Sequence, residues 1–311
     1  GIRDYKVTGV QTCPLPISFP RRPTGPASRP VIADSPRPEP PVDGHEDLPP
    51  GLPPQYTRLA PFASWLDSGG GVLMYHKLGP RPPGVRLKGL YVSSALFERQ
   101  LSEWRAAGFR SASLDPWNSS RAPAAREMFL TFDDGFENVL QHGLEPLRRH
   151  GFQAIQFLLP DLLGKTNEWE IRQGEAPQRL MDARQVREWL AAGHDIGAHT
   201  CTHPWLTQIP LDQAREEIRA SKARLEDLFG RPIRHFCYPY GDWNPAVRDA
   251  VADAGFQTAC TTVPGRNRPE GDPFRLRRAA SWLRKPLLEL APSNPGVIRK
   301  MQQLVDVPLT D

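Results

Sequence analysis

Met128-Phe129-Leu130-Thr131-Phe132-Asp133-Asp134-Gly135 is an unbroken apolar run that ends on two adjacent carboxylates and a glycine. Short, continuous apolar runs of this kind are buried strands of parallel sheets. A second such run, Asp195-Ile196-Gly197-Ala198, leads into His199-Thr200-Cys201-Thr202-His203, with two imidazoles four residues apart. One carboxylate and two histidines with coordination positions left over form the ligand set of a catalytic zinc-type centre. The remaining carboxylate is then free to act as a base.

The same reading extends along the chain. Gly71-Val72-Leu73-Met74-Tyr75 is predicted as a buried strand followed at once by His76. Ser93 or Ser94 caps a helix through Leu96, Phe97, Leu101 and Trp104, closed by Gly108. Residues 138–149 form a helix and 154–159 a strand. Asp182 caps a helix with Val186, Trp189 and Leu190 on one face, stopped by Gly193. Strands are predicted at 194–199, 235–238 and 256–261, with helices over 211–229 and from Pro245. Strands alternating with helices imply parallel βα units, and six or seven of them imply a closed or nearly closed barrel. Active sites of such barrels gather at the carboxyl ends of the strands, where Asp133, Asp134, His199 and His76 all fall.

Outward from this core the chain changes character. Fifteen of the 35 prolines lie in residues 1–61, with few apolar residues between them. Such a segment buries too little surface to offset its ordering entropy. The expected organisation is a disordered leader over 1–55, one catalytic domain over 56–290 and a tail over 291–311. Residues 5–18 read like translated sequencing adapter, so residues 1–18 are given no weight. With no initiator Met, a signal peptide can precede this sequence. Apolar residues make up 39% and charged residues 24%, ordinary for a globular protein. The net charge of +4, from 39 basic and 35 acidic side chains, is interspersed, which argues against a nucleic-acid partner. No stretch has the length and apolarity of a transmembrane helix. Cys13, Cys201, Cys237 and Cys260 show no disulfide or ligand spacing; the last three read as small buried residues.

Thr131-Phe132-Asp133-Asp134-Gly135 and His199-Thr200-Cys201-Thr202-His203 together resemble the first two motifs of the polysaccharide deacetylases, the NodB-homology family of carbohydrate esterases. The resemblance covers residues 71 to about 280 and implies an α/β fold of the distorted (β/α)7 barrel type. It implies Asp133 as general base, and Asp134, His199 and His203 as ligands of one divalent metal, zinc with cobalt or nickel also compatible. Arg234-His235-Phe236-Cys237-Tyr238-Pro239-Tyr240-Gly241 is similar to the groove-wall motif. That similarity implies substrate contact by Tyr238 and Pro239 and an oxyanion donor in the Tyr240 backbone N–H. Many members carry at Cys237 an arginine that holds the base. Arg278, in Asp272-Pro273-Phe274-Arg275-Leu276-Arg277-Arg278, aligns with a late arginine of the exopolysaccharide-processing branch and is the expected replacement.

The family's C-terminal general-acid histidine is absent, since no histidine follows His235. The poly-N-acetylglucosamine branch carries that residue on its first strand, which here selects His76, expected across the metal from Asp133. Trp205, Tyr240 and Trp243 are candidates to stack on sugar rings. The implied substrate is an acetylated, N-acetylglucosamine-containing polysaccharide of the cell envelope or exterior, which loses acetate. Two alternatives stay open on sequence: an O-acetyl esterase on xylan or a similar glycan, and an inactive carbohydrate-binding protein.

Overall fold

A computed structural model describes residues 70–118, 124–263, 265 and 267–280. The sequence-predicted leader and tail lie outside the described residues. The expected strands form: β1 (Gly71–Tyr75), β2 (Glu127–Phe132), β3 (Ala154–Leu158), β4 (Asp195–Ala198), β5 (His235–Cys237) and β6 (Thr258–Cys260). They pair in parallel in that order, with Leu73 opposite Leu130 and Phe157 opposite Gly197. A seventh strand, β7 (Ala279–Ala280), pairs with β1 through Leu73 and Ala279. The residues just before it return to β6: Leu276 N–H donates to Ala259 O and Thr261 N–H to Leu276 O, both at 2.8 Å. The two ends of the sheet therefore meet, and the architecture is the expected distorted (β/α)7 barrel.

Helices cover the outside: α1 (Ser94–Ala106), α2 (Glu137–His150), the short α3 (Glu168–Ile171), α4 (Ala183–Ala191), α5 (Leu211–Phe229) and α6 (Pro245–Asp253). Their ends are chemically marked. Ser93 Oγ accepts the Leu96 N–H, Asp182 and Gln185 form a reciprocal capping box, and Asn244 caps α6 ahead of Pro245.

Strand alternation divides the core. Leu73, Tyr75, Leu130, Phe132, Ile196 and Phe236 face the helices and pack with Phe97, Val139 and Trp189. Alternate positions, Val72, Phe129, Ile155, Phe157, Cys237, Cys260 and Leu276, form a second cluster that fills the barrel. The strands then end together, and the residues just past them carry the polar chemistry. Among the described residues no helix is long and apolar enough to cross a membrane.

Candidate active site

Asp133 and Asp134 follow β2 directly. Asp134 and Gly135 both adopt left-handed backbone, at φ 72° and 74°. A Cβ on Gly135 would meet Leu158 Cδ2 at 2.8 Å, so this turn needs glycine. Thr200, His203 and Tyr240 are also left-handed, at φ 67°, 66° and 58°. Four of the five described non-glycine residues with positive φ thus belong to this one site. Such strain persists where the surrounding structure over-determines it. Here Thr200 Oγ1 accepts the His203 N–H, and Glu217 of α5 accepts the N–H groups of Cys201 and Thr202 and the Thr202 hydroxyl. Glu217 was not singled out by sequence; its only signal is its place in a long amphipathic helix.

The turn brings Asp134, His199 and His203 together, with one donor atom of each within 4.8 Å of the others. The Nε2 atoms of both histidines stand 3.3 Å from Asp134 Oδ1. His199 Nδ1 lies 2.7 Å from the Cys237 carbonyl, which can only accept, so this nitrogen carries a proton and Nε2 is the atom turned to Asp134. Asp134 Oδ1 is buried and makes no hydrogen bond of good geometry. Two imidazole nitrogens turned to a carboxylate oxygen that lacks a well-formed hydrogen bond are a donor set that fits a divalent metal. Burial alone would raise the Asp134 carboxyl, but the imidazoles of His199 and His203 pull it well below the usual range.

Asp133 is held differently. Arg278 donates Nη1–H to Oδ1 and Nη2–H to Oδ2, both at 2.7 Å. The remaining guanidinium donors reach Thr131 Oγ1 (3.0 Å), Thr261 O (2.8 Å) and Cys237 Sγ (3.1 Å). All five N–H groups of a fully buried guanidinium are thereby used. Arg278, the arginine expected from sequence to hold Asp133, thus makes that contact, and Cys237 is one of its acceptors. Burial opposes ionisation of Asp133, but the Arg278 charge and hydrogen bonds outweigh it and hold the carboxyl below the usual range. Asp133, His199 and Cys237 also converge. That trio is a poor ligand set, because both Asp133 oxygens are committed to Arg278 and burial raises the Cys237 thiol to about 11.

His76 follows β1 directly and places Nε2 3.7 Å from Asp133 Oδ2. It therefore stands beside that carboxylate. Its side chain is 18% exposed, against 3% for Asp133. Burial pushes the imidazole down, with Asp133 and Asp134 offsetting only part of the effect.

The aromatic residues divide. Tyr240 stacks on Trp205, with centroids 3.9 Å apart and planes at 4°, and meets His203 edge-on at 4.4 Å. Asp242 accepts the Thr207 N–H and hydroxyl and so ties these two loops. Gly241 is again essential, since a Cβ there would meet Thr262 Oγ1 at 2.0 Å. Tyr238 departs from its expected groove contact: it is fully buried and its hydroxyl donates to the Phe274 carbonyl. Pro239 is buried as well. The Trp243 ring packs under the Arg275 guanidinium at 4.3 Å and beside Tyr238, leaving Trp205 as the tryptophan next to Tyr240. Sequence also missed Lys77, Trp169 and Glu170, which close one side of the cluster.

Residues 120–259 match the profile of the polysaccharide deacetylases. The matched stretch carries Asp133, Asp134, His199, His203 and Tyr240. Over 213 residues it is 24% identical to the putative polysaccharide deacetylase YxkH of Bacillus subtilis, covering 67% of this chain and 69% of that protein. It is 23% identical over 193 residues to the peptidoglycan-N-acetylglucosamine deacetylase PgdA of Listeria monocytogenes, covering 62% of this chain and about a third (36%) of PgdA. The fold resembles IcaB from Ammonifex degensii at a TM-score of 0.61 and 23% identity, covering 71% of this chain and 97% of IcaB.

Proposed function

We propose that this protein removes N-acetyl groups from an N-acetylglucosamine-containing polysaccharide, with a divalent metal held by Asp134, His199 and His203. The observation that carries the reading is the pairing of two unlike carboxylates: one orphaned among imidazoles, its neighbour clamped and kept ionised by Arg278. A metal in the first position, zinc by the character of its ligands, supplies Lewis-acid polarisation of the acetyl carbonyl and activation of water. Asp133, ionised and held by Arg278, takes the proton of the attacking water. His76 is the accessible imidazole beside it and returns a proton to the leaving nitrogen. The Tyr240 N–H, on a left-handed turn, faces the developing oxyanion. The Trp205–Tyr240 plate offers a flat surface for a pyranose ring.

The choice of an N-acetylated substrate is supported by PgdA, whose name specifies peptidoglycan N-acetylglucosamine, and the same relationship points to a cell-envelope polymer. The test is acetate release from a panel of N- and O-acetylated glycans, with and without chelator. Release from N-acetylglucosamine polymers, abolished by chelator and restored by Zn²⁺ or Co²⁺, is expected. Full turnover by protein shown metal-free by elemental analysis overturns the mechanism, and release only from O-acetylated xylan overturns the substrate.

A further inference from the structure

His199 and His203 are oriented by different means. His199 is fixed by its hydrogen bond to the Cys237 carbonyl, the usual way a ligating imidazole is held. His203 Nδ1 is buried and has no hydrogen-bond partner among the described residues. Ring contacts hold it in place of a hydrogen bond. Trp169 lies across its face, with centroids 4.5 Å apart and planes at 22°, and Tyr240 stands at its edge.

Trp169 sits in α3, a single turn with little stability of its own. Its neighbour Glu170 accepts from Lys77 Nζ at 2.6 Å, with the two side chains 6% and 0% exposed. Asn167 donates to the same Glu170 oxygen at 2.5 Å and accepts the Gln178 N–H, closing the turn. Lys77 follows His76 in the chain, and its ammonium lies 4.4 Å over the Phe136 ring, one residue past Gly135. A desolvated ion pair is an expensive way to hold a turn, and apolar residues of similar volume often serve at lower cost. What it adds is one defined geometry.

We propose that Lys77 and Glu170 are positioning residues: their buried ion pair pins α3 so that Trp169 orients the otherwise unbonded imidazole of His203. The role rests on the metal reading above. It accounts for a buried lysine directly after His76, and it links the His76 segment to the His203 ligand through Glu170 and Trp169.

The test is Co²⁺ titration of the full chain, followed by visible absorption, with folding checked by circular dichroism. Trp169→Leu keeps an apolar side chain and the ion pair, yet should weaken Co²⁺ affinity about 10- to 100-fold and change the band shape. Trp169→Phe retains a ring and should restore most of both. Glu170→Gln should resemble Trp169→Leu. The double variant Lys77→Met with Glu170→Gln, which buries no unpaired charge, checks the pair should the single variant fail to fold, and it should still bind weakly. Wild-type affinity and spectrum in Trp169→Leu and the double variant would overturn the proposal. A wild-type protein that bound no Co²⁺ would overturn the metal reading itself, and this role with it.

Discussion

Arg278 and Asp133 lie 145 residues apart in the chain and are joined by two parallel 2.7 Å hydrogen bonds inside the barrel. The bidentate fork sets the carboxylate plane as well as its charge, which a lysine cannot do. The arginine enters on the segment that closes the barrel, so the residues that close the fold also complete the site.

Breaking this pair should be costly in both respects. Removing one partner of a buried ion pair costs about 3–5 kcal/mol, because the other charge is stranded. Arg278→Met should lose about that much in urea unfolding and abolish turnover. Arg278→Lys should recover part of the stability and little of the turnover. Unchanged unfolding in Arg278→Met would mean that the pair contributes nothing net.

The two carboxylates should separate cleanly by metal content. Asp133→Asn removes the base, a loss of about 10²- to 10⁴-fold in turnover, while its metal remains. Asp134→Asn and His203→Ala should lose metal as well, measured by elemental analysis after dialysis. Metal loss in Asp133→Asn alone would show that the roles are exchanged.

Much of this was legible because it is local. The strands around Val72, Phe129 and Ile196 are short apolar runs, and the residue after each is where a βα barrel puts its chemistry. Strand parity accounts for Tyr238: with Cys237 facing the barrel interior, Phe236 and Tyr238 face the helices, and Tyr238 is buried. The final strand leaves little mark in the sequence, because it is two residues long and follows three arginines with no apolar run. Lys77 and Glu170 are 93 residues apart. A lysine in a strand-end sequence reads as solvated, and only tertiary packing buries it.

His76 should act as the proton donor through a position that the metal does not need. His76→Ala should retain full metal content and lose about 10²- to 10⁴-fold in turnover, measured as acetate release at saturating substrate. Near-wild-type turnover would assign the donor to another group.

The last expectation concerns stability in acid and a histidine outside the site. His194 is 5% exposed, neither ring nitrogen has a hydrogen-bond partner among the described residues, and its ring packs on Trp189 at 4.2 Å. Burial pushes its pKa from 6.5 down to about 4. Between these values the unfolded chain binds a proton that the folded one refuses, so stability rises with pH through this window and is lost as pH falls from 6.5 toward 4. At 1.36 kcal/mol per pKa unit the full loss is about 3 kcal/mol. Asp115, held at about 2 chiefly by the His235 imidazole 3.3 Å away, and the site carboxylates add their losses only at lower pH. His194→Leu keeps the contact with Trp189 and removes the titration. Urea unfolding of both proteins at pH 7.5 and pH 4.5, with chelator present, should show the wild type losing about 2–3 kcal/mol more than His194→Leu. Equal losses would place the acid sensitivity elsewhere.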